Sequence, residues 1–153
     1  MDENELKQVL KGKRILIVDD RVETVEPFGD TLESLEASVD YAESIQEAID
    51  FISTSDYNPA FDLVVIDLNI PDVLPILSPY KSFFKKIHLN RGQVFGLWLS
   101  DKYSAIPYFY FSVVPNVKQE MPDSQTGIKA HNKHISLDDF AKIVVEKISK
   151  TTS

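Results

Sequence analysis

Two short segments constrain this chain most. Arg14 to Val18 reads RILIV and Phe61 to Ile66 reads FDLVVI, and each ends in acid: Asp19 and Asp20 follow the first, Asp67 the second. A strand wet on one face alternates polar with apolar residues, whereas a strand covered on both faces reads as a nearly continuous run of Val, Ile and Leu. Both segments are therefore predicted to be strands inside a covered sheet. Between them, Val22, Val25, Phe28, Leu32 and Leu35 recur at helical spacing, although Pro27 and Gly29 weaken the first turns. A brief strand at Ser38 to Tyr41 and a helix near Ser44 to Ile52 complete the interval. Strands that alternate with helices predict a parallel sheet with helices on both sides.

After Pro71 the alternation breaks down, and residues 72–92 fit neither a helix nor a strand, so they are expected to be an insertion. GLWLSDKY (Gly96 to Tyr103) is predicted to be helical, Ile106 to Ser112 a fourth strand, and Gly127 to Lys133 a fifth. The last helix is the clearest. Ser136 with Asp139 three residues on resembles a capping box, and Leu137, Phe140, Ala141, Val144, Val145 and Ile148 form one apolar stripe. At 153 residues, 1–153 is expected to be one domain with its core at about 14–150.

Composition narrows the function classes. Hydrophobic residues make up 43% and charged residues 26%, the balance of a globular chain. There is no cysteine, which excludes disulfides, thiolate metal sites and cysteine chemistry. The N-terminal MDENELKQVLKGK has no apolar core of a signal peptide, and no run of 18 apolar residues occurs, so a cytoplasmic location without membrane contact is expected. A net charge of −8 disfavours binding to nucleic-acid phosphates. Only three residues follow Lys150, leaving no room there for a DNA-binding module, so output is expected through protein contacts. Residues 72–92 are +3 against −11 for the rest, through Lys81, Lys85, Lys86 and Arg91. With Tyr80, Phe83 and Phe84 interleaved, that segment is either a docking surface or lid, or a helix packing its aromatics on the core with lysines in solvent.

The chemistry-bearing residues fall at the carboxyl ends of predicted strands: Asp19 and Asp20, Asp67, Ser112 and Lys133. In an open parallel sheet those ends share one edge, where ligands bind. If the first and third strands are neighbours, about 4.8 Å apart, three carboxylates crowd together and call for a cation. Mg²⁺ suits such a site, since it takes hard oxygen ligands and pairs a few carboxylates with phosphate oxygens. A carboxylate can itself act as nucleophile toward phosphorus.

RILIVDD (Arg14 to Asp20), VVIDLNIP (Val64 to Pro71), IPYFYFS (Ile106 to Ser112) and Lys133 together resemble the landmarks of response-regulator receiver domains of two-component signalling. The resemblance runs from about Arg14 to Lys150 apart from the insertion. It implies a flavodoxin-like, doubly wound, five-stranded parallel sheet of order 2-1-3-4-5. It further implies that Asp67 accepts the phosphoryl group, that Asp20 ligates Mg²⁺ directly and Asp19 through water, and that Asn69 contributes its backbone carbonyl to the metal. Ser112 would hydrogen-bond phosphoryl oxygens and Lys133 would pair with them. The implied partners are a sensor histidine kinase or histidine phosphotransfer protein and a downstream protein target, with a homodimer as a further possibility. A domain of this kind is not a multiple-turnover enzyme.

Several positions depart from that pattern. Lys129 lies close to Lys133, and His134 replaces the proline that usually follows the lysine. Ala130 stands where an aromatic switch residue is common, and Val113 replaces a small residue after Ser112, which predicts slow phosphorylation. Val113 to Gly127 has two prolines and no apolar stripe, so the usual helix there is expected to be short or missing. His88, His131 and His134 show no ligand spacing and are expected to be exposed loop residues. These departures motivate an alternative, a pseudo-receiver that acts by protein contact without phosphoryl transfer. A phosphatase of the haloacid-dehalogenase type is disfavoured, because that chemistry wants a second Asp where this chain has Asn69.

Overall fold

The computed structural model describes residues 1–71, 77–83, 91–113, 121–122 and 129–152. Its order is α1 (Glu3–Leu10), β1 (Arg14–Val18), α2 (Glu26–Ser34), β2 (Ser38–Ala42), α3 (Ile45–Ser53), β3 (Leu63–Ile66), α4 (Ser78–Phe83), α5 (Arg91–Lys102), β4 (Tyr108–Ser112), β5 (Met121–Pro122), β6 (Lys129–Asn132) and α6 (Leu137–Thr152). The sheet order is β2-β1-β3-β4-β6-β5. The first five strands of that order run parallel, as expected, and the two-residue β5 adds an antiparallel edge on β6.

Burial on both faces explains why the strands read as unbroken apolar runs. Leu16, Val18, Val64, Ile66, Tyr108 and Tyr110 point into one core with α3 and α5. Ile15, Ile17, Leu63, Val65, Phe109 and Phe111 alternate with them into a second core with α1, α2 and α6. In the second core Phe28, Phe111 and Phe140 meet with ring centroids 4.9–5.0 Å apart, which ties α2 and α6 to the end of β4.

Local rules set the helix ends. Val22–Thr24 forms a 3-10 turn, and α2 starts after it with Pro27 in its first turn, where a missing N–H removes no helical bond. Gly29 is needed there because the Tyr41 ring occupies the space of a Cβ. Ser44 caps α3 by accepting from the Glu47 N–H at 3.1 Å.

Four features differ from the sequence expectation. Helix α1 was not expected, yet Asp2 and Glu5 form a full capping box and Leu6 and Leu10 are buried, so the core reaches upstream of Arg14. Helix α5 begins at Arg91, inside the segment read as an insertion, and α4 forms within that segment as well. Tyr80 of α4 packs on the core and its hydroxyl donates to Asp101 at 2.5 Å. His131 is buried rather than exposed, because it lies on β6 with its ring edge-on to Phe109 at 5.2 Å. His134 is exposed as expected. His88, Phe84, Lys85, Lys86 and most of 113–127, including the expected loss of a helix there, lie outside the described residues.

Leu10 has no exposed surface although α1 precedes the first strand. Leu10→Ala is expected to lower the unfolding free energy by about 3 kcal/mol, read from urea denaturation. A change below about 0.5 kcal/mol, the scale of a surface substitution, would mean that α1 does not belong to the cooperative core.

Candidate functional site

The parallel ladder continues one hydrogen bond beyond the strand ends, and this fixes the site residues. The Asp19 N–H donates to Ala42 O at 2.9 Å, the Asp67 N–H to Val18 O at 2.9 Å, and the Lys133 N–H to Ser112 O at 3.0 Å. Each residue thus hangs from the neighbouring strand, and all reach the same edge. Register puts Val18 opposite Ile66, so the acids that follow are side by side.

Asp19, Asp20 and Asp67 each offer a carboxylate oxygen, all within 4.8 Å of one another. Asp19 and Asp67 are 2% and 7% exposed, whereas Asp20 faces solvent. The Asp19 carboxylate also accepts from the Arg21 N–H at 2.9 Å, a turn that holds its orientation. Lys133 is buried, and its Nζ donates to Asp19 Oδ2 and lies 3.5 Å from Thr24 Oγ1. Ser112 is fully buried, and its hydroxyl faces the Asp67 carboxyl closely enough to favour its ionised form. Asn69 is exposed, and its backbone N–H donates to Asp67 Oδ1 at 3.4 Å.

All six residues singled out in the sequence therefore gather at one edge. Arg21 and Thr24 were not singled out. Their part depends on a 3-10 turn that bends back over Lys133, and a lone Thr before a helix carries no signal of that. Val113, immediately after Ser112, is 47% exposed. Among the basic residues of the positively charged segment, Arg91 has a described side chain, and its guanidinium donates to Pro71 O.

Electrostatics single out Asp67. Burial raises its pKa above the ordinary value, and the Asp19 charge adds to that rise. Lys133, the Asn69 N–H and the Ser112 hydroxyl pull in the opposite direction and do not overcome burial. Three ionised carboxylates facing one ammonium leave two negative charges uncompensated. Hard oxygen donors with that deficit fit a divalent cation such as Mg²⁺.

No family model matches this sequence, and no curated protein matches it. Solved structures do. The response regulator receiver domain protein (CheY-like) of Methanospirillum hungatei JF-1 is 18% identical and superposes with a TM-score of 0.66 over 93% of this chain and 98% of that one. The Francisella response regulator 1452 receiver domain is 19% identical, with a TM-score of 0.65 over 93% and 100%. The receiver domain of a putative Luxo repressor protein from Vibrio parahaemolyticus is 15% identical, with a TM-score of 0.64 over 92% and 93%. This chain thus has the receiver fold, with an acidic cluster at the carboxyl edge of its sheet. Among the described residues no helix is long and apolar enough to cross a membrane.

Two outcomes test the electrostatics in the metal-free protein. The native pKa of Asp67 is raised, so the folded state holds its proton to a higher pH than the unfolded state does. Ionised Asp67 therefore destabilises the fold, and stability from this group falls as pH rises from about 4, the unfolded value, through the native pKa. Asp67→Asn removes that loss, and is expected to raise Tm above wild type at pH 7 with the gap closing below pH 4. An equal gap at both pH values would contradict the burial effect. Lys133→Met leaves Asp19 buried without its cation, and is expected to destabilise by about 3 kcal/mol at pH 7 in chemical denaturation. A neutral effect would show that the ion pair is not formed.

Proposed function

We propose that this receiver-fold protein takes a phosphoryl group onto Asp67 in a Mg²⁺-dependent reaction and uses the modified state to switch protein contacts. The observation that carries this reading is the buried Asp67 carboxylate, whose charge is disfavoured in the free protein, beside two more carboxylates and one buried ammonium. A nucleophile in that setting becomes competent when a cation restores its charge and an electrophile is delivered to the edge.

In this reading an Asp67 carboxylate oxygen attacks the phosphorus of a phosphohistidine donor. The new P–O bond forms as the P–N bond breaks, and the imidazole leaves with the bonding pair and takes up a proton. Asp19 and Asp20, with Asp67 itself and the Asn69 carbonyl, would hold Mg²⁺. Bound there, the ion would neutralise the carboxylates and the phosphoryl oxygens. The Ser112 hydroxyl would donate to a phosphoryl oxygen. Lys133 would leave Asp19 for the transferred group, with Thr24 Oγ1 beside its path. A sensor histidine kinase or histidine phosphotransfer protein would be the donor and a protein the target. The domain would support its own phosphorylation and dephosphorylation without acting as a multiple-turnover enzyme.

Beryllium fluoride with Mg²⁺ is expected to change the fluorescence of Trp98, the single tryptophan. Acetyl phosphate is expected to add one phosphoryl group by intact-mass spectrometry. Both responses should vanish in Asp67→Asn. A folded wild type that shows neither would be a pseudo-receiver, the reading that Ala130 and Val113 favour.

A further inference from the structure

Helix α5 rests on the loop of Asp67 with no side chain between them. A Cβ added at Gly92 would collide with the Asp67 carbonyl oxygen and stand 2.8 Å from Leu68 Cα and 2.9 Å from the Asp67 carbonyl carbon. The Gly92 N–H donates to Leu68 O at 3.0 Å. Arg91 reaches along the same loop and donates to Pro71 O. One turn further on, Gly96 lies against the rings of Tyr108 and Tyr110, its missing Cβ 2.9 Å from Tyr108 Cε2. Ser100 Oγ and the Tyr108 hydroxyl are 2.7 Å apart. Glycines four residues apart share one helix face, so α5 applies bare backbone both to the loop that carries Asp67 and to the strand that carries Ser112.

We propose that Gly92 and Arg91 are positioning residues for Asp67, with α5 acting as a rigid spacer that sets the distance between Asp67 and Ser112. The proposal rests on reading Asp67 as the phosphoacceptor. Neither residue touches the reacting atoms; both act through the backbone of residues 67–71. Close-packed backbone has no flexible side chain to absorb a shift, so a methyl group at position 92 must move the loop, the helix or both. Asp67 and Ser112 leave neighbouring paired strands, with Ile66 opposite Tyr110, and displacements near 1 Å at a reacting centre can cost up to about a hundredfold in rate.

The test measures phosphorylation by acetyl phosphate at saturating Mg²⁺ in Gly92→Ala and Arg91→Gln, with rates expressed per folded molecule. Leu10→Ala, which destabilises the protein from the opposite face of the sheet, serves as the control for stability loss alone. The expected result is a maximal rate lowered about tenfold or more in Gly92→Ala and about threefold in Arg91→Gln, with Leu10→Ala at the wild-type value. Wild-type rates per folded molecule in both position variants would overturn the proposal.

If wild type itself takes no phosphoryl group, the reading of Asp67 fails visibly, and hydrogen exchange then decides the spacer role. In the metal-free protein Asp67→Asn is expected to alter exchange of the amides at 92–99 by about threefold or more beyond the change at 141–148, which reports the gain in global stability alone. A change at 92–99 no larger than that at 141–148 would overturn it.

Discussion

The edge of this sheet depends on one buried ammonium. Asp19 and Asp67 are almost wholly removed from water and Asp20 stands beside them. Without a cation, two buried carboxylates at such separation oppose folding, since the attraction of water for each charge has been lost and their mutual repulsion is poorly screened. Lys133 supplies part of the remedy by pairing with Asp19. The pairing is incomplete by design of the charges present, and the residual strain falls on Asp67, whose carboxyl holds its proton more tightly than an exposed one does. A site that is adequate for folding and deficient in positive charge is one that could hold a cation, which is what the proposed function asks of it.

What keeps that tension from opening the site is the sheet beneath it. The backbones of Asp19, Asp67, Ser112 and Lys133 are hydrogen-bonded to the strand alongside, and both faces of those strands are covered. The Phe28, Phe111 and Phe140 cluster anchors the second face immediately below Ser112. On the first face, Phe95, Trp98 and Leu99 of α5 are buried in the core, and nearest the site Gly92 and Gly96 bring the helix backbone itself against the Asp67 loop and β4. The two faces therefore hold the site differently: one by interlocked rings, the other by direct backbone approach.

The departures from the receiver pattern also acquire locations. Ala130 is buried on the α5 side of β6, where its register partner is Tyr110 of β4. The ring on that face belongs to the neighbouring strand rather than to position 130. His131 points to the opposite face, against Phe109. Its burial was not legible because the segment around it is polar and short, and a four-residue strand gives too few residues for alternation to register. Helix α1 escaped for a related reason: only Leu6, Val9 and Leu10 mark its apolar face, although the capping box at Asp2 and Glu5 was present to be read. Gly92 carried a usable signal too, since it lies four residues before Gly96, yet the broken pattern upstream hid the start of α5.

The strand order followed from the receiver resemblance; the sequence by itself determined the parallel α/β arrangement and the strand-end residues of the candidate site. Those depend on strong, local patterns: two-sided apolar runs, helical spacing, and acids placed at strand ends. Tertiary structure decided the rest. Only packing could show that Lys133 binds Asp19, that burial outweighs every favourable contact of Asp67, that Thr24 folds back beside the ammonium, and that Gly92 meets the Asp67 loop. These are outcomes of distance and dielectric between residues far apart in the chain, and charge interactions of that kind have magnitudes set by burial, which no single segment encodes.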